Sequence, residues 1–593
     1  MKITKTVPRH GLAALLGLSI FATMACNGGG AQKVCATFEE MKDPTADTLS
    51  DWSNVTPGLH ASVISIDEKF PKSVAPQVTP VNNIELSAWK GEKVSAQLLL
   101  WTAEDVSQVE CRFSNLVSEG NTLPATVAQA RFVRYVMTDE FGPGCGRRKP
   151  GDFPASLAPD MLDNLECFNL EAKTARPVWL TISVPSDALA GNYRGKVTIY
   201  AKGKRNRDFD ISLEVVDRLL PQPSEWSYHL DLWQHPSAVA RMHQLELWSD
   251  AHFEKMRPLM QMLANAGQKV ITATLNMDPW NNQCHDPYAD MIIWTKNKDQ
   301  SWSFDYTVFD RWVEFMMGLG IDKMINCYSL LTWNNRLHYN DMAKGELVTV
   351  ELKAQSAEYE ELWSVFLKDF TRHLREKGWL EKTNIAMDER GPADMKAALR
   401  VLERYAPELG VSLADNHKSY QEYPWIKDIC VGAGNEVSRE EIEARRAKGL
   451  ITTYYVCCSD RFPNTFTFSQ PAEAVYAAWY SVALDFDGFL RWSYNSWVED
   501  PLTDSRFRTW PAGDTYIVYP DARSSIRFER LVEGIQDAEK IRILRKVYAA
   551  ENSPESKEKL EQLEEAIAGF ATLEPAPDWN DRLNKAKRLL NSK

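Results

Sequence analysis

Residues 384–417 read NIAMDERGPADMKAALRVLERYAPELGVSLADNH: a short apolar run, a helical stretch and a second short apolar run. The outer segments, NIAMDER (384–390) and VSLADNH (411–417), have the length and composition of buried strands, and Gly410 lies where a left-handed helix cap belongs. The same rhythm recurs after Glu225, with further strand candidates YHLDLWQHP (228–236), KVITATLNM (269–277), KMINCYSLL (323–331), DICVGAG (428–434), ITTYYVCCS (451–459) and GFLRWSYNSW (488–497). Helical patterns between them line one face, as Phe309, Trp312, Val313 and Met316 do, and Leu362, Phe366, Phe370 and Leu374. Gly267, Gly320 and Gly378 follow helices as Gly410 does. Eight strand–helix alternations predict a parallel (β/α)8 barrel over residues 226–522. A doubly wound sheet is the alternative, and the count favours closure. Residues 523–593 are helical and charged, as in SKEKLEQLEEAIAGF, and are expected to cover the barrel's flank.

Before Glu225 the pattern is different. SAWKGEKVSAQLLLWTA, ARFVRYVMT, RPVWLTISVP, YRGKVTIYAKG and FDISLEVVD alternate with period two between Gly, Pro and Asn turns. They predict a β-sandwich over residues 60–218, closed by the proline-stiffened linker LLPQPSE at 219–225.

At the extreme N-terminus, Lys2, Lys5 and Arg9 precede the apolar run GLAALLGLSIFATMA, which stops at Cys26. This is an export signal, too short to span a membrane. Its ATMAC ending resembles a bacterial lipoprotein signal, so residues 1–25 are expected to be removed and Cys26 lipidated. Residues 26–59, small and polar, then read as a tether, and the expected location is the bacterial cell envelope. The net charge of −13 and the lack of a basic run argue against nucleic acid as a partner. No GxGxxG or GxxxxGK[ST] follows the first barrel strand, so no nucleotide cofactor is expected. Without Cys26 nine cysteines remain, so at least one is unpaired. Cys145 and Cys167 flank a loop and could be bridged. Cys457 and Cys458, with no His at metal spacing, read as buried thiols, and no metal is expected.

Barrel enzymes work at the C-terminal ends of their strands. The residues expected to converge there are Trp233 and His235 from the first strand, Tyr328 and Trp333 from the third, and Asp388 and Glu389 from the fourth. Asn416 from the fifth, Tyr455 from the seventh, and Trp492, Tyr494, Asn495 and Trp497 from the eighth complete the set. Carboxylates, amides and aromatic rings at one rim suit a sugar. The long aromatic loop after the second strand, DPWNNQCHDPYADMIIWTKNKDQSW, belongs to the same face, where specificity resides. Any single ring could be packing, and Arg390 could simply neutralise the acids. The acid pair is harder to dismiss, because ending an apolar strand in two carboxylates costs desolvation. Neighbours on a regular strand point to opposite faces, so both acids reach one sugar only where the strand breaks, which Gly391 and Pro392 are expected to ensure. Acids this close do not suit the usual retaining or inverting pair, whose carboxyls lie about 5 to 9.5 Å apart across the glycosidic bond.

The segments NIAMDERGP, GFLRWSYNSW with DP shortly after it, WPAGDTYIVYP, SIRFERLVEGIQDAEK and AWKGEKVSAQLLLW together resemble glycoside hydrolase family 123, the β-N-acetylgalactosaminidases, across residues 60 to 545. The resemblance implies an exo-acting enzyme that releases terminal β-linked N-acetylgalactosamine with retention, using the sugar's own 2-acetamido oxygen as nucleophile. Asp388 matches the residue that orients the acetamide, and Glu389 the general acid, which the charge of Asp388 is expected to keep protonated. Trp492 and Tyr494 are then expected to cage the acetamide methyl, and Tyr455 or Tyr328 to hold its oxygen. Two rivals stay open: a barrel glycosidase pairing Glu389 with a distant carboxylate such as Asp231 or Asp278, and a glycan-binding lipoprotein without turnover. Sequence gives no handle on galactosamine against glucosamine beyond the resemblance.

Overall fold

The computed structural model describes residues 33–592, apart from 46–49, 143–144, 147–148 and 436. The expected export signal and Cys26 lie outside the described residues. All eight expected barrel strands form one parallel sheet, in the spatial order His229–Leu232, Gly488–Arg491, Ile451–Tyr455, Asp428–Gly432, Gly410–Asp415, Thr383–Asp388, Met324–Tyr328 and Val270–Thr274. The barrel is nearly closed. Its last seam, between the first and second strands, is a bridge from Leu230 to Gln268, reinforced by the Leu232 amide donating to Gln268 Oε1 at 2.9 Å. The first and eighth strands press together at Gly488, where an added Cβ would lie 2.0 Å from the His229 carbonyl oxygen.

Gly267, Gly320 and Gly378 take positive φ of 87°, 95° and 72°, as helix ends of this kind require. Gly410 does not cap a helix in that way. It opens the fifth strand, and its missing side chain makes room for Asn384 Oδ1, which would lie 2.0 Å from an added Cβ. Asn384 belongs to a polar plug inside the barrel: its amide donates to Asn326 Oδ1, Asn326 donates to Ser412 Oγ, and Ser412 donates to Asp428 Oδ2, at 2.9–3.0 Å. These bonds satisfy groups that would otherwise be costly to bury.

Most strands of the N-terminal region are antiparallel and lie in a five-stranded and a seven-stranded sheet. One apolar core draws on both, with Leu98, Leu100, Val178 and Leu180 from one sheet meeting Val197, Ile199, Ile211 and Leu213 from the other. The segment expected to be a tether is fixed to these sheets from Lys33 onward. Cys35 is bonded to Cys167, and the buried Glu40 carboxylate accepts from Arg134 and Arg176 and pairs with Lys72 at 2.9 Å. Burial alone would raise the Glu40 carboxyl, but Arg176, Lys72 and Arg134 outweigh it and hold it well below the usual range. A segment held by one disulfide and one carboxylate has no periodicity to read, which is why its sequence looks like a linker.

The second disulfide joins Cys145 to Cys458, so neither the Cys145–Cys167 bridge nor a buried Cys458 thiol is found, and Cys457 is a half-buried free thiol. This bond ties the N-terminal region to the end of the seventh barrel strand. The same region also braces the segment that leaves the eighth strand. Met137 exchanges backbone bonds with Thr503 and Ser505, and the Ala512 amide donates to Asp139 Oδ1 at 3.1 Å. Helix Ile526–Glu551 lies against helix Pro471–Ala483, with the Trp479 indole donating to Asp537 Oδ2, and helices Pro554–Ala568 and Trp579–Leu590 follow. Part of the long loop after the second strand is itself folded. Ile293–Lys296 and Trp302–Asp305 join Arg336–Asp341 and Glu346–Glu351 in a small four-stranded sheet beside the barrel mouth. Among the described residues no helix is long and apolar enough to cross a membrane.

Candidate active site

The fourth strand ends at Asp388, and the break falls at Glu389, two residues before the Gly-Pro signal. Glu389 itself takes φ of 47°, in the left-handed region, while its amide still donates to the Ala414 carbonyl of the fifth strand at 2.9 Å. Gly391 has an ordinary φ of −65° and Pro392 opens the next helix. A non-glycine residue in that region is strained by about 1–3 kcal/mol, and such strain gathers where side chains must be aimed. Here it turns the second acid onto the same side as the first.

Both acids face a pocket at the C-terminal mouth of the barrel, with about 620 Å³ of space when the open solvent at its entrance is counted. Trp233, Trp280, Trp333, Tyr455, Trp492, Trp510 and Asp514 also line it, with Gln283, Ala414, Leu490 and the three sulfur-bearing residues Cys145, Cys457 and Cys458. Those sulfurs lie within 4.8 Å of one another, but two are joined in the disulfide, which leaves one free thiol there. Trp233 and Trp280 of the wall form an aromatic triangle with Tyr328 behind them, with ring centres 4.8–4.9 Å apart and all three almost wholly buried.

The Trp280 indole donates to Asp388 Oδ2 at 2.9 Å, and the Trp333 indole also stabilises this carboxylate. Even so, burial and then the charge of Glu389 push Asp388 up to about 8. Asp388 is the carboxyl enclosed by indoles. The Tyr455 hydroxyl donates to Glu389 Oε1, which fixes that side chain at the pocket. Such a site can deliver a proton and accept an N–H bond side by side.

The expected residues separate into three groups. Trp233, Trp333, Tyr455 and Trp492 line the pocket with the acids. Behind its wall are Tyr328 and the pair His235 and Asn495, which exchange backbone-to-side-chain bonds at 2.9 and 3.0 Å. Trp497 is buried there too, donating to the Val518 carbonyl. Tyr494 and Asn416 do not reach the pocket. The Tyr494 hydroxyl donates to the Leu259 carbonyl at 2.9 Å, and Asn416 is exposed beside His417. Strand geometry ends at Arg491, so the two-residue alternation that would align Tyr494 with Trp492 no longer applies.

Six lining residues were not singled out from the sequence: Gln283, Ala414, Leu490, and the larger or charged Trp280, Trp510 and Asp514. Trp280 lies in the aromatic loop after the second strand, and Trp510 and Asp514 lie in WPAGDTYIVYP, so each was within a segment already noted. Asp514 is fully buried and paired with Arg491 at 2.8 Å. Neither proposed distant carboxylate lies in the pocket wall. Asp231 is buried inside the barrel, where desolvation and Asp428 raise its carboxyl well above the usual range. Asp278 accepts the Trp280 and Asn282 amides and shapes the turn that carries Trp280.

A parallel barrel whose mouth holds adjacent acids among stacked indoles has the form of a glycoside hydrolase, and the chain is one. The family model for the glycoside hydrolase 123 catalytic domain matches residues 233–544, and that for the glycoside hydrolase 123 N-terminal domain matches residues 63–201. The chain therefore belongs to glycoside hydrolase family 123. Among solved structures it is similar to a family 123 glycoside hydrolase from Clostridium perfringens, studied for glycolipid glycan hydrolysis, with 28% identity and a TM-score of 0.80. That match covers 90% of this chain and 97% of the other. A Bacteroides ovatus GH5 xyloglucanase aligns at 10% identity and a TM-score of 0.29, over 77% of this chain and 98% of its own, too distant to inform the site. A comparison with curated proteins found no match.

Proposed function

We propose that this enzyme removes terminal β-linked N-acetylgalactosamine from glycans with retention, using the substrate's 2-acetamido group as the nucleophile. The carrying observation is that Asp388 and Glu389 face one pocket from consecutive positions, with the strained backbone of Glu389 between them. A conventional retaining or inverting enzyme needs its second carboxylate across the glycosidic bond. The third carboxylate in the wall, Asp514, is committed to Arg491 and fully buried, which leaves the acetamide as the nucleophile.

In this reading the acid pair of the free enzyme holds one proton up to about pH 8, the value to which burial and Glu389 push Asp388. The acetamide N–H donates to Asp388 and favours its ionised form, so the shared proton resides on Glu389 Oε2. The acetamide oxygen then attacks the anomeric carbon from the face opposite the leaving oxygen, while Glu389 gives that oxygen its proton. The glycosidic bond breaks as an oxazolinium forms, its N–H held by Asp388. Glu389, now a carboxylate, takes a proton from water, the water oxygen opens the ring at the anomeric carbon, and the acetamide and the protonated acid are restored. Trp233 and Trp280, backed by Tyr328, offer the apolar cage for the acetamide methyl, in place of the Tyr494 expected from sequence.

We read the paired N-terminal sheets as the family's β-sandwich, and the helices after residue 523 as the segment that covers the barrel flank. The test of substrate is release of p-nitrophenol from the β-GalNAc, β-GlcNAc and β-galactoside derivatives side by side. Turnover of β-GalNAc alone is expected, and turnover of the β-galactoside would refute an obligatory acetamide. The export signal and Cys26 support a lipid-anchored enzyme in the bacterial envelope. Cys26→Ala should then move the protein from the membrane fraction to the soluble fraction, and an unchanged distribution would sink the anchor.

A further inference from the structure

Trp280 stands at the meeting point of the pocket's contacts. Its indole N–H reaches Asp388 Oδ2 at 2.9 Å, and its ring is stacked against Trp233 and tilted on Tyr288 and Tyr328, with centres 4.6–4.9 Å away. It is buried, yet it comes from a long loop, where a side chain has no strand to orient it.

The loop is instead fixed from the end of the neighbouring first strand and from the segment that follows the eighth. The His235 ring lies flat on Tyr288, centres 3.8 Å apart and 1° from parallel, and both rings meet Ser496 Oγ. Asn495 in turn clamps the His235 backbone. Trp510 donates to the Gln283 carbonyl, Arg508 donates to the Cys284 carbonyl, and Arg241 pairs with Asp286 at 2.8 Å. Buried polar side chains and an ion pair devoted to one loop hold its central residue far more firmly than packing alone requires.

We propose that Trp280 is a positioning residue for the reaction: its indole N–H aims Asp388 at the acetamide and adds to the acetamide N–H in favouring the anion there, and His235, Tyr288, Ser496 and Asn495 set the indole. The inference rests on the acetamide reading above and explains residues that this reading leaves idle. His235 and Asn495 act through the loop and not on the sugar. A donor to the carboxylate also decides where the pair's single proton resides. In the substrate complex the acetamide N–H favours the anion on Asp388 and the proton on Glu389, and the indole N–H strengthens that preference. Without the indole N–H, the proton resides more on Asp388, where it serves nothing.

The groups facing Asp388 leave this contact room to act. They are Glu389 and Arg390 on its own segment, Tyr328 from the third strand, Cys430 from the sixth and Tyr455 from the seventh, besides the Trp280 and Trp333 indoles. Burial keeps Tyr328, Cys430 and Tyr455 neutral at working pH, so the acid pair and Arg390 supply the charge.

The test is Trp280→Phe, with benzothienylalanine at position 280 as a second variant that keeps the bicyclic shape and replaces the N–H by sulfur. Each is assayed from pH 5 to 10 on the β-GalNAc derivative. The expected result is a kcat about 10- to 100-fold lower with KM within about threefold, and a high-pH fall displaced upward by about one unit, since a bond to a charged group of this kind is lost. A purely structural role would lower the rate and leave the pH of that fall in place. An unmoved fall in either folded variant overturns the inference. Wild-type enzyme that ignores both acetamido sugars would sink the underlying reading instead, so the two failures are distinguishable.

Discussion

Asp388→Asn should lower kcat on the β-GalNAc derivative by about 10³-fold or more while leaving the fold intact. Aligning an intramolecular nucleophile can be equivalent to an effective concentration of about 10⁵ M or higher, and the acetamide must be rotated into line with the anomeric carbon. An aspartate does this by accepting the N–H and sharing the positive charge that develops on the oxazolinium. Asparagine keeps the shape, can still accept that bond, and loses the charge, so the defect isolates electrostatics from size. Substrates with successively fluorinated acetamide methyls supply a second readout. Fluorine weakens the oxygen as a nucleophile, so the wild-type rate should fall steeply along the series. Near-normal activity of Asp388→Asn, or a flat series with the wild type, would remove Asp388 from this role.

Several parts of this arrangement could be read directly from the chain. The eight barrel strands are short runs, apolar apart from the polar plug, because both faces of each are buried, one by the barrel interior and one by helices, and such runs are distinct from the alternating strands before residue 220. The acids were legible because charge directly after NIAM has no structural reason to be there. What escaped was whatever depends on partners remote in sequence. Cys145 meets Cys458 across a separation of 313 residues, and nothing near either cysteine announces it. Glu40 sits in an aperiodic stretch, and its burial is intelligible only once Arg134 and Arg176 are seen on neighbouring strands. Tyr494 and Trp492 are two apart and read as companions until the strand is known to stop between them and the rest of the rim. Trp280 was visible only as one ring in an aromatic loop. Its distinction lies in an N–H aimed at Asp388, 108 residues away.

Glu389→Gln should separate the proton from the carboxyl shape. On a glycan or alkyl glycoside, whose leaving oxygen needs a proton, the rate should drop about 10²- to 10⁴-fold, the usual scale of general acid catalysis. On an activated aryl glycoside such as the 2,4-dinitrophenyl derivative, formation of the oxazolinium should be much less affected, because that phenolate departs unassisted. The pH dependence carries the sign of the argument. Asp388 is raised to about 8 in the folded enzyme, so the pair keeps its shared proton below that pH and loses it as the pH rises through it. Wild-type kcat/KM should therefore fall above about pH 8. Glutamine has no proton to lose, so the variant should retain its low activity across that range without the fall. If Glu389→Gln instead lost activity equally on good and poor leaving groups and kept the high-pH fall, Glu389 would be positioning the sugar, and the proton would have to come from another group in the pocket. Tyr455, which donates to Glu389, is then the first to examine, although burial and the two acids hold its hydroxyl far above its ordinary range and make it a poor acid.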